Sequence, residues 1–210
     1  MRVRRGLLAA LGLLGPALAA WAATIETDFI QRPWPHQHTQ QIEVGRHQVR
    51  WRDRLSRKDG LFAGVRFEAP RDQQTIWKLA TDYRDIGTKT PGVTAIKFLK
   101  NEPSQQIIQV DVNVLWKKLR LQFEVEREPP TRIRFRMTNQ QLGEYRGVCT
   151  FEPSRTESAA ISGPPGTAVE LSTWFHPPRP MPMGLALVVQ RIMLLQGVAR
   201  FLDSLQFPAR

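Results

Sequence analysis

The histidine, cysteine and tyrosine side chains that could ligate a metal, attack an electrophile or move a proton are few: four, one and two. His36 and His38 stand two residues apart and could contribute to a metal site. No Cys or His cluster accompanies them, so the spacing of a structural zinc site is missing, and they read as exposed loop histidines. Cys149 is the only cysteine and can close no disulfide within the chain. Nothing in sequence beside it would lower its pKa, so it reads as a small buried apolar residue rather than a nucleophile. No Ser-His-Asp order, glycine-rich phosphate loop or HExxH motif is present. General acid–base catalysis needs titratable groups that converge in one cavity. The chain offers only Tyr145, Cys149 and Thr173 at inward strand positions, with His176 at the end of the last strand. We therefore assign no catalytic residue, no metal site and no cofactor, and ask what elements would carry a binding site instead.

Those elements follow from periodicity. From Ile42 the chain alternates, with Val49, Trp51 and Leu55 on one face and Arg50, Arg52 and Arg54 on the other, which predicts a half-buried strand. A turn at 56–60 and renewed alternation over 61–70 predict a hairpin. Residues 70–86 switch to helical spacing through Ile76, Leu79, Ala80 and Tyr83, with Asp72 placed to cap the start and Pro91-Gly92 to end the helical region. Six alternating segments follow, with inward sets that include Ile108/Val110/Val112, Leu119/Leu121/Phe123/Val125, Ile133/Phe135/Met137, Tyr145/Gly147/Cys149/Phe151 and Val169/Leu171/Thr173/Phe175. Clean alternation predicts antiparallel strands with one buried and one wet face. Pairing apolar with apolar across the turn "REPPT" sets Val125 against Ile133 and Phe123 against Phe135, with Glu126 facing Arg132, Glu124 facing Arg134 and Gln122 facing Arg136.

The segment "TWFHPPRPMPMGLALVVQRIMLLQ" ends this run. A membrane span needs roughly 18 to 20 consecutive apolar residues, and Gln190, Arg191 and Gln196 interrupt this one. From Met183, apolar residues recur at Leu185, Val188, Val189, Ile192, Leu195, Ala199, Leu202 and Leu205, which predicts an amphipathic helix. An α+β fold, a curved antiparallel sheet with one long helix across its concave face, buries both apolar surfaces.

Hydrophobic residues make up 41% and charged residues 23% of the chain, an ordinary globular balance that excludes wholesale disorder. The net charge of +11 points to an anionic partner. The first residues qualify this: "MRVRR", an apolar stretch and "AWA" form a signal peptide with cleavage after Ala22. Export, to a periplasm, lumen or extracellular space, makes nucleic acid an unsuitable partner. An uncleaved leader would instead anchor the chain. The basic face of Arg50, Arg52, Arg54, Arg57, Lys58, Lys117, Lys118 and Arg120 is suited to an anionic membrane surface or to plain solvation. The domain division is a signal peptide over 1–22, an N-terminal extension with an added strand over 23–60, and the main domain over 61–207.

The order of elements, with "APRDQQTIWKLATDYRDIGTKTPGV", "EREPPTRIRFRM", "YRGVCTFEP" and "GTAVELSTWF", resembles the START-like (SRPBCC, Bet v 1-like) superfamily. Within it the chain is similar to the polyketide cyclase/dehydrase group, which includes coenzyme-Q-binding START-like proteins. The likeness covers about 61–206. It implies the helix-grip fold, with two short helices after the first core strand, and a hydrophobic small molecule or lipid held between the sheet and the C-terminal helix. Cys149 departs from the group, which often has tryptophan there, and that leaves the inner wall roomier. On the inward positions, the wall candidates are Trp116, Phe123, Phe135, Met137, Tyr145, Phe175, Ile192 and Leu195. Tyr83 and Met183, with Ile86 and Met181, stand at the mouth. An apolar pocket with few polar groups suits a lipid or isoprenoid quinone. A cyclase/dehydrase-type enzyme and a membrane-binding module with a filled core are the alternatives. The leader makes the first prediction: the exported form begins at Ala23 on N-terminal sequencing, whereas full-length protein retained in the membrane would contradict cleavage.

Overall fold

The computed structural model describes residues 39–56, 60–90, 92–114, 117–139, 142–154, 166–177 and 183–206. The signal peptide, His36, His38 and Trp116 lie outside the described residues. The strands are β1 (Gln40–Val44), β2 (His47–Ser56), β3 (Gly60–Ala69), β4 (Val93–Asn101), β5 (Gln105–Val114), β6 (Lys117–Glu128), β7 (Arg132–Asn139), β8 (Gly143–Pro153) and β9 (Thr167–His176). The helices are α1 (Gln73–Thr81), α2 (Tyr83–Lys89) and α3 (Met183–Gln206). Among the described residues the nine strands form one antiparallel sheet in the order β1-β2-β3-β9-β8-β7-β6-β5-β4. This is the helix-grip α+β architecture, with two short helices after β3 and a long C-terminal one.

The N-terminal extension adds two strands rather than one. Gly45 adopts φ 63° in the turn between β1 and β2, a conformation glycine enters without a Cβ penalty. The β6–β7 hairpin also differs from expectation. Phe123 pairs with Met137 and Val125 with Phe135, a slip of two residues from the predicted register. The reason is the turn. Glu128 and Arg132 are the last pair, and Thr131 closes the loop by donating its N–H to the Glu128 carbonyl at 2.8 Å. A slip of two keeps every side chain on its own face but changes its neighbour. Arg134 accordingly meets Glu128 at 2.9 Å and Glu126 at 3.6 Å, and Arg136 meets Glu144 at 3.1 Å.

Asp72 caps α1 as its position predicted, accepting from the Thr75 N–H at 2.9 Å and the Thr75 hydroxyl at 2.6 Å. Those bonds hold its carboxyl below the usual carboxylate range. Asp82 closes α1 and caps α2, accepting from the Asp85 N–H at 3.0 Å. The inner face is solid at one end. Ile76 and Trp77 of α1 meet it there, with Trp77 edge-on to Phe151 at 5.6 Å, and Phe67 meets Phe201 of α3 at 6.1 Å.

Helix α3 packs against β3, with β1 and β2 beside it. Its buried stripe is Gln190, Leu194, Val198, Leu202 and Leu205. This corrects the predicted stripe. Ile192 is 49% exposed and Val188 52%, on the flank away from the sheet, while Leu195 is partly buried against the core. The polar flank contacts explain the rotation. Arg191 lies over the Trp51 ring at 5.7 Å, Asp203 meets His47 at 3.2 Å, and Arg200 donates to the Lys89 carbonyl at 3.0 Å. Ile76 has no exposed surface. Ile76→Ala should therefore lower stability in urea unfolding by about 2–5 kcal/mol. Ile192→Ala should change it by no more than about 0.5 kcal/mol.

Candidate ligand-binding site

The observed registers join the inner face into one aromatic belt. Phe98, Ile108, Phe123, Met137, Tyr145, Phe175 and Leu61 are successive partners from β4 across to β3. The belt thus brings together four of the residues proposed from sequence: Phe123, Met137, Tyr145 and Phe175. Met137 is buried, whereas Phe123, Tyr145 and Phe175 keep part of their surface accessible. The Tyr145 ring lies 6.5 Å from Phe175 and 5.7 Å from Phe135.

The next row toward the solid end is Gln106, Val125, Phe135, Gly147, Thr173 and Ala63. Three small residues in succession leave a depression, and it receives two side chains. The Phe135 ring lies across Gly147, where a Cβ would stand 2.2 Å from the Phe135 Cζ. Gln190 enters from α3, donating from Nε2 to the Thr173 hydroxyl at 2.8 Å. Thr173 donates in turn to the Ala63 carbonyl at 3.1 Å, and Tyr145 is hydrogen-bonded to Thr173.

One row further lie Arg127, Ile133, Cys149 and Leu171. Arg127 shares the inward parity of Phe123 and Val125. Its Nη2 donates to the Glu102 carbonyl at 2.9 Å, and its Nε is buried without a partner. Tyr83 opens α2 near Arg127 and Cys149, and its buried hydroxyl also lacks a partner. Burial pushes the Tyr83 hydroxyl up to about 12, against the pull of the Arg127 charge. Burial likewise pushes the Tyr145 hydroxyl up to about 12, against its hydrogen bond with Thr173. The Cys149 thiol rises to about 12, first by burial and then by the negative charge of Glu170. All three groups are protonated and neutral near pH 7. They can donate or accept hydrogen bonds, but none is a base or thiolate nucleophile there.

Ile192 is half exposed on α3, off its buried stripe. Met183 begins α3, and its side chain is not among those described. The basic face is also partly spent. Arg52 is buried, donating to Glu170 at 3.1 Å and Ser172 at 3.3 Å beside Gly64, and Arg120 forks onto Asp111 at 2.8 and 3.2 Å. Among the described residues, no group of three or more His, Cys, Asp or Glu side chains could hold a metal, and no helix is long and apolar enough to cross a membrane. Gln190, Gln106 and Arg127 were missed in the sequence, although each shares the spacing of buried neighbours.

A family profile described as "Polyketide cyclase / dehydrase and lipid transport" matches residues 63–206. The chain belongs to this family. Its fold is shared by solved structures of low identity. A STAR-related lipid transfer protein from Xanthomonas axonopodis is 13% identical, with a TM-score of 0.61, covering 80% of this chain and 99% of that one. A START superfamily protein from Mycobacterium smegmatis is 16% identical, with a TM-score of 0.52, covering 69% of this chain and 98% of the other. The Zhui aromatase/cyclase from Streptomyces sp. R1128 is 15% identical, with a TM-score of 0.51, covering 70% and 96%. No curated protein matches the chain. The match therefore runs from β3 to α3 and takes in the belt except Leu61, while β1 and β2 precede its limits.

The contact between Gly147 and Phe135 generates the prediction for this site. Gly147→Ala should lower stability by about 1–3 kcal/mol, because the ring must leave the depression. Phe135→Leu in the same chain should recover part of that loss, and a double-mutant cycle by urea unfolding reads the coupling. Strictly additive losses would contradict the ring's placement.

Proposed function

We propose that the chain binds or carries an apolar ligand, a lipid or isoprenoid quinone, on the inner face between the aromatic belt and α3. The observation that carries this reading is the accessibility of the belt. Phe123, Tyr145 and Phe175 point inward and remain partly exposed, Tyr145 beside Phe175 and Phe123 across the buried Met137. A filled core would close over such residues, whereas a ligand groove presents them. The family's lipid transport members support the reading. Cyclase or dehydrase chemistry has less support, since Tyr83, Tyr145 and Cys149 are held neutral. Export through residues 1–22 is part of the proposal and would place the ligand outside the cytoplasm. Contact with an anionic membrane would draw on Arg50, Arg54 and Lys118.

The test compares two charges. Phe123→Asp places a carboxylate in the belt and should weaken uptake of a fluorescent fatty acid at least tenfold, because the charge must be desolvated against the ligand. Ile192→Asp, on the exposed flank, should leave uptake near the wild-type level. Unchanged uptake by Phe123→Asp, with both variants folded on thermal melting, would contradict the site.

A further inference from the structure

Gln190 is 8% exposed, and its Oε1 is buried with no hydrogen-bond partner. The bonds around it fix which way the amide faces. A threonine hydroxyl has one proton and two lone pairs. The Thr173 proton is committed to the Ala63 carbonyl, so Thr173 can only accept from its other neighbours. Gln190 must therefore turn its NH2 toward Thr173, as observed at 2.8 Å. Tyr145 is hydrogen-bonded to the same hydroxyl. Thr173 is then fully satisfied, and Oε1 is the one atom of the cluster left without a partner. A buried acceptor without a donor is costly, and a native structure retains it where something else supplies the proton. The cluster borders the open belt through Tyr145 and Phe175.

Resting on the apolar-ligand reading above, we infer that the ligand carries a hydroxyl, as a lipid alcohol or phenol, and donates it to Gln190 Oε1. A ketone, ether or quinone oxygen would bring lone pairs against a lone pair and leave Oε1 unsatisfied. The selection is therefore for the hydroxylated form of a ligand over its carbonyl or ether counterpart, and for a quinol over a quinone.

Farnesol and its methyl ether differ only in that proton and serve as probes in titration calorimetry with the full mature chain. Wild-type protein should bind farnesol roughly tenfold more tightly than the ether. Gln190→Leu should erase the difference, with farnesol falling toward the ether and the ether little changed. Gln190→Met, unbranched and of similar length, is the second acceptor-free variant should the first fail to fold. Equal wild-type affinities would overturn the inference while leaving the apolar site standing, since a buried water would then answer Oε1. A preference that survives in a folded acceptor-free variant would overturn it too. Binding of neither probe to the wild type would overturn the apolar-ligand reading and this inference with it.

Discussion

Helix α3 meets the sheet through four leucine and valine side chains, Leu194, Val198, Leu202 and Leu205, and through one buried polar bond from Gln190 to Thr173. Each apolar side chain buried there contributes about 1.5–3 kcal/mol, so the stripe supplies the strength of the contact. The polar bond supplies its position. It can form only where a strand offers a hydroxyl among small neighbours, and the row of Gly147, Thr173 and Ala63 is such a place. With α3 held on β3, the inner faces of β6 to β9 around Tyr145 are left partly uncovered.

The inner face consequently changes character along the strands. At Phe151, Val169 and Phe67 it is closed by α1 and the C-terminal half of α3. Tyr145 lies six residues earlier on β8, about 20 Å away along an extended strand, where the aromatic surface is accessible. Binding in such a groove would draw its strength from apolar burial and its selectivity from few polar atoms. Those atoms, Tyr83, Tyr145, Gln106, Gln190 and Arg127, are neutral except for the last. That suits recognition of an uncharged apolar body with a small polar feature.

Much of the fold was legible because strand alternation is a direct consequence of pleating, and the inward parity of the predicted strand sets held among the described residues. What alternation cannot reveal is which inward residue faces which. The position of the Pro129-Pro130 turn shifted Phe123 from Phe135 to Met137, and that shift assembles the belt. Helix α3 was harder for a different reason. It is apolar on most sides, so periodicity alone does not select Leu194 and Val198 over Val188 and Ile192. Gln190 looked like an interruption of an apolar run, yet its spacing from Leu194 and Val198 places it in the buried stripe. Arg127 was hidden by the expectation that charge lies outward, and Arg52, which does lie on the outward face, by the expectation that this face is wet. Two glycines were informative in retrospect: Gly64 makes room for Arg52, and Gly147 for the Phe135 ring.

The central claim is that the open belt is a ligand site rather than an unfilled seam. Native mass spectrometry of the mature chain, purified without detergent and then offered a lipid extract, tests it most directly. The account predicts a discrete adduct of small-molecule mass that is lost on denaturation and recovered in organic solvent. A spectrum holding only the bare chain, before and after exposure to the extract, would contradict it.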